Sequence, residues 1–184
     1  MNTFYIVAVG SVASEVLDWL DTEAAEWFPF PVRRLPPLAI PEGWYDAARQ
    51  QYQSVEVMKA LAETAPRDTA RLLGVTEVDL AIPMLTFLFG QAQLNGPVAV
   101  VSLCRLRQEF YGLPANDGLL RERARKEMLH ELGHTFGLTH CSEPQCAMSL
   151  ATHIDLVDTK KERYCARCGA HMARRLAAAN GGSI

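Results

Sequence analysis

With 184 residues, 49% of them apolar, and mean hydropathy near zero, the chain is long enough to bury one globular core. The net charge of −3 and the lack of a Lys/Arg stripe exclude a nucleic-acid binder, and no apolar stretch is long enough to span a bilayer. Thr3 to Val9 reads as a first strand; it lacks the basic lead and cleavage site of a secretory signal. Ser11 then caps a helix whose Val12, Val16, Leu20, Ala24 and Trp27 recur at helical spacing. Phe30 to Ile40 carries a second strand between prolines. A helix follows over Trp44 to Glu63, turning Tyr52, Val55, Met58 and Ala62 to one side. Val78 to Ile82 reads as a third strand. Thr86 to Leu94 and Pro97 to Leu106 flank Asn95-Gly96, a strong hairpin signal, and are expected to pair antiparallel, with Cys104 packed in the second of them.

The next helix is capped by Asn116 or Asp117 and buries Leu120, Ala124, Met128 and Leu132. Arg121, Arg123, Arg125 and Lys126 are interspersed with glutamates on what reads as its solvated face. Its last turns carry the most informative segment of the chain, His130-Glu-Leu-Gly-His-Thr-Phe-Gly-Leu-Thr-His140. His130 and His134 sit four residues apart on one helix face, so both rings reach one ion, with Glu131 beside them. Gly137 can adopt the left-handed conformation without steric cost and turn the chain back, so that His140 becomes a third ligand from outside the helix. Three imidazoles leave one position of a zinc ion for water, the mark of a catalytic rather than a structural site, with Glu131 as general base. A surface helix with two chance histidines is the plain alternative, against which Gly137 and His140 are both in register.

Cys141 and Cys146, then Cys165 and Cys168, form C-x4-C and C-x2-C pairs that suit a closed, structural tetrathiolate zinc. Two disulfides or a redox pair at Cys165 and Cys168 are the competing readings, with His171 a substitute ligand should one thiol be free. His140 and Cys141 are neighbours whose side chains point apart in extended backbone, so the two ions share no ligand and lie on the order of 10 Å apart or more. This is not a two-metal catalytic centre.

The run His-Glu-x-x-His-x-x-Gly-x-x-His-Cys-x4-Cys-x-Met, closed by Cys-x-x-Cys, resembles the archaemetzincins, a branch of the metzincin zinc metallopeptidases. The resemblance is close over residues 130 to 168, and the order of elements upstream is compatible with it. It implies an α+β fold in which a twisted mixed sheet of about five strands carries a backing helix and an active-site helix, with a small zinc-stapled C-terminal lobe. One domain, 1–184, would then divide into lobes 1–137 and 138–184 around a cleft. By that resemblance His130, His134 and His140 hold the catalytic zinc, Glu131 is the base, and Cys141, Cys146, Cys165 and Cys168 hold the second ion. Met148 matches the methionine of the Met-turn beneath the histidines; from the residues alone it is ordinary core.

Two departures stand out. Sixteen residues separate Met148 from Cys165, one fewer than in the family pattern. Leu150 also occupies the position where some metzincins carry a tyrosine able to reach the zinc or an oxyanion. Tyr111 and Tyr164 read as half-buried amphipathic residues rather than substitutes for it. In metzincins an antiparallel edge strand above the zinc binds extended peptide by main-chain hydrogen bonds, and Thr86 to Leu94 is the candidate here, through Thr86, Phe87, Leu88, Phe89 and Gly90. The plain reading of that strand is a covered edge.

The expectation is thus a zinc peptidase with two Zn2+ per chain acting on peptide or protein. No nucleic-acid or membrane partner is expected, a monomer is favoured, and the place of work is the cytoplasm, where thiols stay reduced. A zinc-bearing interaction module without turnover and a hydrolase of non-peptide amides are the alternatives; retention of Glu131 argues against the first. The end of the small-residue tail, Ala177 to Ser183, is expected to fray.

Overall fold

The architecture follows from strands that are apolar on both faces. In the computed structural model, which describes residues 2–180, β1 (Thr3–Val9) is buried at all seven positions, β9 (Val98–Ser102) at all five and β5 (Thr69–Thr76) at six of eight. Such runs need a layer on each side, as parallel sheets do. The main sheet has the order β2-β1-β5-β9-β8, where β2 is Val32–Arg34 and β8 is Gly90–Ala92. Its first four strands are parallel, and β8 pairs antiparallel with β9 at the edge. The pleat separates two cores. Phe4, Ile6, Leu73, Val75, Ala99 and Val101 face α1 (Ser14–Trp27) and α3 (Asp117–Thr135), while Tyr5, Val7, Leu72, Val98 and Val100 face α2 (Ser54–Thr64).

A second, smaller sheet has the order β3-β4-β6-β7, formed by Tyr45–Asp46, Gln51–Gln53, Leu80–Ile82 and Leu85–Leu88. After α3 the chain forms a loop stapled by backbone bonds from Cys141 N to Met148 O (2.9 Å) and from Ala147 N to Arg163 O (3.0 Å). The helices α4 (Ile154–Thr159) and α5 (Ala166–Asn180) follow. Residues 181–184, where the tail was expected to fray, lie outside the described residues; the part before them is helical.

The mixed α/β architecture with a five-stranded sheet is as expected, but several local expectations are corrected. The first helix begins at Ser14 behind Ala13, so Ser11 does not cap it. Residues 44–53 form a turn and two short strands, and α2 begins only at Ser54; the face it buries is Ser54, Val57, Met58 and Leu61, leaving Val55 and Ala62 exposed. The central strand β5 had no expectation at all, because Arg71 and Gly74 interrupt its apolar run. Gly74 is there for packing: a Cβ would come within 2.6 Å of Leu61 Cδ1 on α2.

The stretch from Thr86 to Leu94 is not one strand. It breaks at Phe89, with β7 in the small sheet and β8 in the large one. The hairpin forms, but its loop is longer than an Asn-Gly turn: Gln93 N donates to Val98 O, and only Asn95 takes positive φ, at 59°. Its second strand ends at Ser102, placing Cys104 in a 3-10 turn. The basic face of α3 is not solvated as a whole either. Arg123 and Lys126 are buried, Arg123 gripping Asp158 with two hydrogen bonds of 2.7 Å and Lys126 donating to Glu122 and to the Asp158 carbonyl. Elements on both sides enclose the helix, and no sequence pattern of α3 itself announces α4.

Candidate active site

Helix α3 is capped as expected: the Asn116 side chain accepts from Leu119 N at 3.0 Å. It ends in a Schellman motif, with Leu138 N donating to Gly133 O (3.0 Å), Gly137 N to His134 O (2.9 Å), and Gly137 at φ +86°. That reversal carries His140 back over the helix. The rings of His130, His134 and His140 converge with centroids 4.7, 5.3 and 5.0 Å apart. Their candidate ligand nitrogens lie within 4.8 Å of one another.

The donor set suits zinc. His130 Nδ1–H donates to Ala147 O (2.8 Å) and His134 Nδ1–H to Leu138 O (2.7 Å), which leaves each Nε2 lone pair turned inward. Those two Nε2 atoms are 3.2 Å apart, against about 3.3 Å for two nitrogens at tetrahedral angles and ordinary zinc distances. Burial depresses the pKa of all three imidazoles, His130 furthest, with the nearby Lys160 ammonium adding to it; neutral rings are the form a metal binds.

Glu131 stands beside them, 5% exposed, on the wall of a cleft of about 550 Å³ that all three histidines also line. Burial pushes its carboxyl well above the usual range, and the carboxylate of Glu127, one turn earlier, pushes the same way. Met148 is fully buried beneath the helix, where Gly133 leaves it room: a Cβ at 133 would collide with its sulfur and lie 3.2 Å from its methyl.

Cys141, Cys146, Cys165 and Cys168 gather into a second cluster, their sulfurs also mutually within 4.8 Å. Cys141 and Cys165 Sγ are 3.8 Å apart, matching the edge of about 3.8 Å expected for a tetrathiolate zinc. No disulfide forms among them, which removes that alternative for this structure. Against the burial that would raise it, the Glu143 amide and Arg167 guanidinium bring the Cys141 thiol down to about 7. His171 is not in the cluster; its Nε2 lies 3.4 Å from Phe136 O.

The expected substrate strand is only partly placed at the cleft as a free edge. Carbonyls of Leu85 and Thr86 are taken by Arg49 and Gln51, so the first half of β7 is not a free edge. In β8, Phe89 O and Gln93 N bond to β9, so by antiparallel alternation Gly90 and Ala92 turn their N–H and C=O to the open side. Tyr111 donates to Arg105 O and Tyr164 to Leu129 O (2.7 Å), both away from the histidines, while Leu150 lines the cleft.

Glu127 and Lys160 escaped the sequence reading. Their ion pair (2.8 Å) is buried on both sides, and Lys160 Nζ lies 3.5 Å from His130 Nδ1. Glu127, three residues before His130 and four before Glu131, could have been found by its helical spacing. Lys160, thirty positions beyond His130, carried no local signal.

The model of peptidase family M54 matches residues 31–174. This chain belongs to that family. It is 44% identical over 163 residues to the archaemetzincin of Methanocaldococcus jannaschii, covering 89% of this chain and 88% of that protein. Among solved structures it superposes on the archaemetzincin of Methanopyrus kandleri with a TM-score of 0.82 at 34% identity, covering 96% of each chain. It superposes on a zinc-dependent peptidase from Methanocorpusculum labreanum with a TM-score of 0.81 at 31% identity, covering 92% of this chain and 99% of that one. The family assignment makes the chain a zinc metallopeptidase of the archaemetzincin group, with peptide or protein as the substrate class. None of the helices among the described residues is long and apolar enough to cross a membrane.

Proposed function

We propose that the chain hydrolyses peptide bonds at the histidine cluster, with one zinc held by His130, His134 and His140 and a second by Cys141, Cys146, Cys165 and Cys168. The observation that carries this is the inward convergence of three imidazoles, two of them fixed through Nδ1–H on backbone carbonyls, beside a carboxylate in the same cleft. Zinc bound there supplies a Lewis acid that polarises a carbonyl and makes water more acidic. Glu131 accepts the proton of the attacking water and passes it to the leaving nitrogen. Met148 supports the rings from below, and Gly137 sets the reversal that brings His140 to them. Gly90 and Ala92 offer main-chain groups to an extended peptide, which the neighbouring Thr86, Phe87, Leu88 and Phe89 flank with an apolar wall.

The cysteine site, whose four donors all lie in lobe 138–184, holds that lobe in shape beside lobe 1–137, making one domain with the cleft between them. The enzyme works as a monomer in the cytoplasm, where reduced thiols keep their metal. Zinc analysis and a degenerate peptide library test the reading together. The parent is expected to hold two zinc ions per chain and to cleave the library. Glu131→Gln should keep both ions and lose about a thousandfold in kcat. Cleavage by Glu131→Gln at the parent rate would overturn the base assignment, and a single zinc per chain would overturn the division into two sites.

A further inference from the structure

His130 and His134 are oriented by hydrogen bonds to carbonyls, whereas the Glu131 side chain, 5% exposed, makes no hydrogen bond among the described residues. Its walls must orient it. One of those walls is Gly90, the first residue of β8, paired with Val101 of β9. A Cβ built on Gly90 would lie 2.6 Å from Glu131 Cγ, 2.7 Å from Glu131 Oε1 and 2.7 Å from Val100 O. Gly90 is not among the residues of positive φ, so its backbone conformation does not demand glycine; the space does.

We propose that Gly90 is a positioning residue for the general base: its bare Cα is the seat against which the Glu131 side chain rests, at the edge that holds the peptide. This rests on the general-base reading of Glu131. The physical content is a fixed spacing. A peptide paired with the outward N–H and C=O of Gly90 has its backbone registered against the same residue that carries the base. Carbon atoms in ordinary contact are about 3.5–4.0 Å apart, so a methyl group at position 90 must displace either the carboxylate or the strand by about 1 Å. Misplacement of that size in a reacting pair costs about a hundredfold in rate.

The experiment uses four zinc-loaded proteins: the parent, Gly90→Ala, Glu131→Ala and the double variant, each measured for zinc content, thermal midpoint and steady-state peptide cleavage. Gly90→Ala is expected to keep its zinc and lose at least about tenfold in kcat, with KM changed by less than about threefold. Its midpoint should fall by about 5 °C in the parent background, as overpacking does, and by less than half as much where Glu131→Ala has removed the clashing atoms. An equal fall in both backgrounds would overturn the proposal, because the Val100 carbonyl would then be the obstacle; so would an unchanged kcat. If Gly90→Ala alone does not fold, recovery of folded protein in the double variant supports the seat and continued failure overturns it. The base reading has its own readout, since Glu131→Ala that still cleaves at the parent rate would overturn that reading whatever the thermal comparison shows.

Discussion

The histidine cluster and the cysteine cluster begin at adjacent residues, His140 and Cys141, yet they are built on opposite plans. The first takes two donors from consecutive turns of a long helix and one from beyond its Schellman cap, and it opens on a cleft of about 550 Å³. The second takes its donors from a loop and the start of α5, four soft sulfurs with their own short-range hydrogen bonds. Three donors beside a cleft leave a coordination position for chemistry, whereas four donors close the shell and leave only a contribution to folding. On the proposed function, donor number and burial, rather than distance along the chain, set a reactive site apart from a staple.

The largest test of this contrast is Cys146→Ser. It should remove the second ion and destabilise the protein by about 4–5 kcal/mol, a drop of about 10 °C or more in thermal midpoint, with activity lost through unfolding of the 138–184 segment. Calorimetry with zinc analysis checks this; a stable, active variant with one zinc would show that the cysteine site is not a staple. Next comes the ion pair behind His130. Lys160→Met leaves Glu127 buried without its partner and should cost about 3 kcal/mol, whereas Lys160→Met combined with Glu127→Met should recover most of that in chemical denaturation. Absence of recovery would mean that the pair does more than neutralise itself beneath the histidines.

Gly133→Ala is a milder perturbation, because the atoms in its way belong to the flexible Met148 side chain. Overpacking of about 1–2 kcal/mol is expected, with a modest loss of activity and no loss of zinc, read from denaturation and peptide cleavage. Smallest is Asp68, which belongs to neither donor cluster. The hydroxyls of Tyr5 and Thr3 donate to its carboxylate and hold its pKa below the ordinary 3.8. The sign is that of a depressed acid: the stabilisation is present above pH 3.8 and disappears as pH falls through the lower folded value. Asp68→Asn should therefore flatten the pH dependence of the thermal midpoint only in that acidic window. A change near neutrality would contradict it.

The capped start of α3, its apolar stripe at Leu120, Ala124, Met128 and Leu132, and the stop at Gly137 were all legible in the sequence, because each is a local matter of periodicity, capping and φ. Both donor clusters were legible for the same reason, since ligand spacing on a helix and in knuckles is a local constraint. The central strand β5 was not, because Arg71 and Gly74 are explained only by Thr135 and Leu61, residues distant in the chain. The break at Phe89 was equally hidden: the residues from Thr86 to Leu94 read as one strand, and only the pairing of β7 with β6, joined by Arg49 and Gln51 reaching across to the Leu85 and Thr86 carbonyls, assigns its first half to another sheet.

Sequence alone picked out the two sets of candidate metal donors that the structure brings together and the carboxylate proposed as the base, because those depend on residue type and short spacing. Tertiary structure decided which strand edge is free, that Lys160 lies under His130, and that Gly90 touches Glu131. Those relations join segments that no local rule connects, and only packing of the sheet against α3 brings them together.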